Sequence, residues 1–228
     1  LDALEAVAAG IPGLPIAVEV RSASELERAR AIAGPRLIAA LPPVIYEALI
    51  PDLAALCAAA GATPIEANGW DGWEIARAAG CANLIAGPGF GVLNPLAARA
   101  LHARGCATVH VAAEIDDAKL GDLCAAADVP LVVTVFGRPA LMQTRAWSKA
   151  PPWQMEDGRG SIRIAPRQEG PVVALRPTAP FDWRGLPLPG MRVAHLEMDL
   201  CASPDPLADW SSRRAADAPR FNLGRELA

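Results

Sequence analysis

The residues able to do chemistry in this chain gather where apolar runs end. Glu66 and Asn68 lie at and just past the end of the run 63–67, Glu114 follows 107–112, and Arg138 and Arg145 follow 131–135. Glu66 or Glu114 could act as a general base if partly buried. Arg138 could clamp a carboxylate or phosphate through two parallel N–H bonds. Glu66 and Asn68 share strand parity, so both should point to one side. A structural use of the same charges competes with this: Arg138 and Arg145 could pair with Glu114 and Glu66 to hold the mouth of a barrel together.

Aromatic side chains accompany these groups. Trp70 and Trp73 flank Asp71-Gly72 directly after a predicted strand, and Trp147 and Trp153 follow Arg145. Four indoles near one face could wall a binding site or cap the core. Gly87-Pro88-Gly89-Phe90-Gly91 precedes a helix start at Asn94-Pro95. Backbone N–H groups there could cradle an anion, although glycines also serve plain turns. His110 and His195 fall mid-strand and His102 on a helix, so hydrogen-bonded core histidines are the default expectation. The chain lacks H-E-x-x-H, G-x-S-x-G and any C-x-x-C pair. No metal site or protease nucleophile is therefore recognisable. The five cysteines, at 57, 81, 106, 124 and 201, are odd in number and widely spaced, which argues against a secreted disulfide framework.

The elements that must position these groups repeat a strand-then-helix unit. Strands are predicted over 16–20, 36–41, 63–67, 83–87, 107–112 and 131–135. Helices are predicted over 22–34, 47–61, 72–79, 95–104 and 117–127. Ser22 with Glu25 reads as a capping box, and Gly34 as the stop. Asn94 followed by Pro95 is a helix start. Such units imply parallel strands with right-handed crossovers. Their even spacing, without a G-x-G-x-x-G opening, favours a (β/α) TIM-barrel-like domain over 1–150, incomplete or distorted. Half of the 22 prolines fall after residue 150, which marks 151–228 as a Pro-rich extension. Segments 172–176 and 192–200 could complete the barrel, or 161–165 and 172–176 could pair as an appended hairpin. In a barrel the strand ends converge on one face, and active sites sit there.

Residues 63 to 145 resemble the collagenase-like peptidase U32 family. The likeness is carried by Leu93-Asn94, Glu114, Gly137-Arg138, Leu141-Met142 and Thr144-Arg145, with Phe221-Asn222 and Arg225 near the end. The resemblance implies a modified (β/α) barrel and a peptidase label. It also implies kinship with proteins of oxygen-independent hydroxylation of RNA bases or the ubiquinone ring, which hold an iron–sulfur cluster. In those proteins a cysteine typically follows the arginine matching Arg145. This chain has Ala146 there and no cysteine from 146 to 157, so no cluster and no other cofactor is expected. The expected site comprises Glu66, Glu114 and Arg138 as catalytic groups, with Asn68, Trp70, Asn94 and Arg145 binding a small-molecule or peptide substrate. The alternatives are a cluster-free subunit that pairs with a paralogous protein, and a small-anion-binding barrel.

Composition sets the outer limits. A net charge of −4 and a pI near 5.4 give no general attraction to nucleic acid. No apolar run is long enough to span a bilayer, and no charged-then-apolar leader opens the chain. The expected setting is soluble and cytoplasmic. The start at Leu1 suggests a piece of a longer protein.

Overall fold

A computed structural model describes residues 4–156, 162–184, 193–198, 203 and 205–212. The chain opens with α1 (Leu4–Gly10) and then alternates strand and helix: β1 (Ile16–Glu19), α2 (Ala23–Ala33), β2 (Leu37–Ala40), α3 (Ile50–Ala59), β3 (Ile65–Ala67), α4 (Trp70–Ala78), β4 (Leu84–Ala86), α5 (Pro95–His102), β5 (Cys106–His110), α6 (Asp117–Ala126) and β6 (Leu131–Gly137). Then come β7 (Met142–Thr144), β8 (Met155–Glu156), β9 (Arg163–Glu169), β10 (Val172–Pro177), β11 (Phe181–Asp182), β12 (Val193–Met198) and α7 (Pro206–Ser211).

Local sequence sets the helix ends. The Ser22 hydroxyl accepts from Glu25 N–H, and the Glu25 carboxylate accepts from Arg21 N–H at 2.7 Å. This is reciprocal capping displaced by one residue from the usual box. Asn94 accepts from Ala97 N–H ahead of Pro95, and Asp116 accepts from Lys119 N–H. Helices bury small or branched side chains at helical spacing: Leu26, Ala29 and Ala33 on α2, and Leu53, Leu56 and Cys57 on α3.

Strands β1 to β6 lie side by side in chain order, all parallel, in a curled sheet. Both β5 and β12 pair with Leu131 and Val132, so β12 extends the sheet along the other edge of β6. Val193–Met198, within the segment 192–200, thus supplies a parallel strand, as the sequence suggested. β11 runs antiparallel along the tip of β6, pairing Asp182 with Phe136. Strands β7, β10, β9 and β8 form a separate antiparallel sheet. Here 172–177 pairs with 163–169 in a hairpin, so the appended-hairpin alternative holds for that segment. α7 returns to α1, where a Cβ added at Gly10 would lie 2.5 Å from Leu207 Cδ2. Among the described residues seven parallel strands form a curled, half-barrel sheet, and a complete TIM barrel is not shown.

The two sheet faces differ chemically. Ala39, Ile65, Ala67, Val109 and Val133 join the helices in one core. The opposite face carries the row Glu19, Ala40, Glu66 and Ile85, neighbours by register. His110 and Val132 continue it beyond β4. Among the described residues no helix is long and apolar enough to cross a membrane. Cys201, Phe221, Asn222 and Arg225 lie outside the described residues.

Candidate functional site

Glu66 is a carboxylate in a strand buried at both neighbours, where a charge is costly unless it is paired. It is 6% exposed. Its Oε2 lies 3.5 Å from Nε2 of His110, itself 4% exposed. The two residues belong to β3 and β5, with β4 between them. Gly87 makes that crossing possible. It is buried at the tip of β4, and a Cβ there would lie 2.2 Å from Asn68 Oδ1 and 2.9 Å from Glu66 Oε1. Glu66 of β3 and Asn68 just after it therefore lean over a backbone that has nothing to obstruct them.

Asn68 completes the arrangement. Its Nδ2 donates to Glu66 Oε1 at 3.1 Å and to the Leu41 carbonyl at 3.1 Å. The amide holds one carboxylate oxygen while the other faces the imidazole. An oriented carboxylate beside an imidazole is the working unit of proton transfer. The shared parity of Glu66 and Asn68 is what the alternation of the strand required. His110 was expected as a core residue in mid-strand. The strand in fact stops at His110, which puts its side chain at the same rim as Glu66.

The other expected site residues go elsewhere. Glu114 is exposed on the turn before α6, and neither arginine pairs with it or with Glu66 among the contacts resolved. Arg138, expected as an inward clamp, is held at the rim: its Nη1 pairs with Asp209 Oδ2 of α7 at 3.2 Å, and its Nε reaches the Thr178 carbonyl. The expected Arg138 to Glu114 or Glu66 tie at the mouth is not made, because α7 brings a nearer carboxylate. Asn94 is exposed, and its side chain is taken up by the helix cap. Trp70 opens α4, half exposed, edge-on to Trp73 and Phe90. Trp147 and Trp153 stack edge-on at 5.6 Å beside the antiparallel sheet. No ring contact joins the two tryptophan pairs among the described residues, so the four do not form one wall. The Gly87–Gly91 loop spends its glycines on close approach: a Cβ at Gly89 would lie 2.1 Å from the Asn68 carbonyl oxygen.

Arg145 is exposed with its guanidinium 5.7 Å from the centre of the Tyr46 ring. Tyr46 lines a small cleft with about 30 Å³ of free space, open to solvent, where the ends of β1 and β2 meet the antiparallel sheet. Asp182 and Arg184 form a bidentate pair behind this rim, and Arg184 also donates to two α7 carbonyls or their neighbours, Asp209 O and Ser212 O. Sequence reasoning missed Asp182, Arg184 and Asp209: what ties them to the rim is Asp209, which lies 25 positions from Arg184 and 71 from Arg138. The thiols of Cys57, Cys81, Cys106 and Cys124 are all pushed up by burial, Cys57 to about 12. Among the described residues no group of three or more His, Cys, Asp or Glu side chains is gathered to hold a metal.

No family model, curated protein or solved structure matches this chain.

Proposed function

We propose that this protein is an enzyme that moves a proton at the carboxyl-terminal ends of its parallel strands. Glu66 and His110 are the transferring pair, and Asn68 holds Glu66 in place. The observation that carries this reading is the buried Glu66–His110 contact across Gly87. Burying a carboxylate and an imidazole costs stability unless they are paired. Placing both at strand tips, on the face turned away from the helices, suits catalysis better than packing. The resemblance to U32 peptidases, carried by Gly137-Arg138, Leu141-Met142 and Thr144-Arg145, supports an enzyme of that general kind. Arg138 supports the rim through Asp209, and Arg145 rests near the ring of Tyr46.

The test is turnover of a peptide and metabolite mixture followed by mass spectrometry. Glu66→Gln and His110→Asn should each lower any activity found by roughly 10²–10⁴-fold. Circular dichroism should show both variants folded. Full activity in both folded variants would remove the pair from the mechanism.

A further inference from the structure

We infer that Asn68 is a site of spontaneous deamidation, at which the Gly69 backbone nitrogen displaces the Asn68 side-chain nitrogen and the residue becomes aspartate or isoaspartate. The modification itself stands on the sequence and geometry around Asn68. Its consequence for activity deepens the proposed function and rests on that reading.

The first observation is the dipeptide. Asn68-Gly69 is the one Asn-Gly pair in the chain; Asn83 and Asn222 precede leucine, and Asn94 precedes proline. The backbone nitrogen after an asparagine closes a five-membered ring on the side-chain carbonyl carbon only if it is unshielded and has a hydrogen to lose. Glycine leaves that nitrogen bare, leucine shields it, and proline has no N–H.

The second observation is that the fold does not require glycine at position 69. Its φ of 174° is extended backbone that any residue adopts. A Cβ there would find nothing nearer than the Pro43 carbonyl oxygen at 4.0 Å. Gly87 and Gly89 differ, since each is pressed against Asn68. Among the described residues no acceptor takes the Gly69 N–H. The attacking nitrogen is therefore uncommitted, in a half-buried dipeptide with room for the ring.

The third observation is what the change does at this place. The reaction balances with water alone. A bond forms from Gly69 N to Asn68 Cγ as the bond from Cγ to Nδ2 breaks, and Nδ2 leaves as ammonia with the hydrogen that Gly69 gives up. Water then opens the ring at either carbonyl. Nδ2 donates to Glu66 Oε1 and to the Leu41 carbonyl, each at 3.1 Å. These bonds hold the amide, so the folded chain reacts more slowly than the unfolded one, and the product loses both. An aspartate sets a second carboxylate against Glu66 Oε1, where like charges repel. An isoaspartate adds a methylene to the backbone beside Gly89, which has no slack against the Asn68 carbonyl. Either product frees Glu66 from its place beside His110.

Incubation of the full chain at mildly alkaline pH and body temperature, followed by peptide mass spectrometry and isoaspartyl methyltransferase labelling, tests the inference. The amide-to-acid mass change should appear at Asn68, with isoaspartate among the products, while Asn83 and Asn94 stay amides. Gly69→Ala, which the local space accommodates, should slow the conversion about tenfold or more. No conversion at Asn68 in the folded chain, over a period that converts the urea-unfolded chain, would overturn the inference. So would a wild-type rate in Gly69→Ala, or equal conversion at Asn83. Asn68→Asp, shown folded by circular dichroism, should lower any activity found about tenfold and shift the His110 imidazole resonances. Conversion at Asn68 with full activity and unmoved resonances in Asn68→Asp would spare the modification and sink its link to the proton-transfer pair. Lost activity in Asn68→Asp without conversion of the wild type would sink the modification and spare that pair.

Discussion

Glu66 Oε2 stands 3.5 Å from His110 Nε2 although a whole strand separates their backbones. The intervening strand yields at one point, Gly87, where any side chain would occupy the space of Asn68 and Glu66. Gly87→Ala should therefore do more harm than a methyl group usually does. Overpacking of this kind costs about 1–3 kcal/mol, which corresponds to a melting point roughly 2–10 °C lower for a chain of this size. The imidazole resonances of His110 should move as well, because Glu66 must retreat. A wild-type melting point with an unmoved His110 spectrum would show that the crossing has slack.

Arg138 serves stability in this structure through Asp209, and the two side chains are mostly buried. Ser203 Oγ donates to the same carboxylate. Removing either partner strands the other, so Arg138→Ala and Asp209→Ala should each destabilise by about 1–2 kcal/mol. The double variant should be little worse than either single one, giving a coupling energy near 1 kcal/mol in a denaturant-melt cycle. Strict additivity would mean that the pair contributes nothing as a pair.

Asp182 is 3% exposed and accepts three bonds from Arg184, two from its guanidinium and one from its backbone N–H, and Arg184 itself holds the chain around α7. Asp182→Asn keeps the shape and removes the charge. The expected loss is about 2–3 kcal/mol, with earlier proteolysis near residues 205–212 than in the rest of the chain. A protease pattern identical to wild type would show that α7 is held by other contacts.

The parallel units were legible in the sequence because each carries its own local signals. Ser22, Gly34, Asn94 and Pro95 mark helix ends by backbone chemistry that acts within four residues, and short all-apolar runs mark buried strands. Glu66 and Asn68 could be placed together because parity needs no distant information. His110 could not be joined to them, since its partner lies on a strand 44 positions earlier in the chain and the link depends on an absent side chain at Gly87. A strand end drawn at residue 110 instead of 112 would have brought His110 to the rim. The partner of Arg138 was hidden for a similar reason. Asp209 is 71 positions away, on a helix that follows proline-rich sequence without periodic pattern.

Asn94 offers a sharp separation of two roles. As a helix cap its side chain accepts from Ala97 N–H at 2.9 Å. Asn94→Ala should cost about 1 kcal/mol, and Asn94→Asp or Asn94→Ser should restore most of it. A substrate-binding amide would behave differently, because neither replacement offers its N–H donors. Thermal melts of the three variants decide the matter: rescue by aspartate and serine supports the cap, and equal loss in all three contradicts it.

The buried thiols impose a pH dependence whose sign is fixed by which state holds the proton. Cys57 is 2% exposed, and burial pushes its thiol from 9.0 up to about 12 in the folded chain, with the neighbouring Cys81 adding to the rise. Above pH 9 the unfolded chain releases this proton while the folded chain keeps it. The native state then binds more protons, so stability falls as pH rises. The contribution is intact below about pH 9 and is lost progressively between about pH 9 and 12. Cys81, Cys106 and Cys124 shift in the same direction and steepen the decline. Urea melts at about pH 8, 9.5 and 10.5 should show decreasing stability. Cys57→Ala should flatten that slope by up to one proton, about 1.4 kcal/mol per pH unit, whatever it does to stability at neutral pH. A variant slope equal to that of the wild type would mean that Cys57 ionises alike in both states, and that its burial beside Cys81 does not hold it protonated.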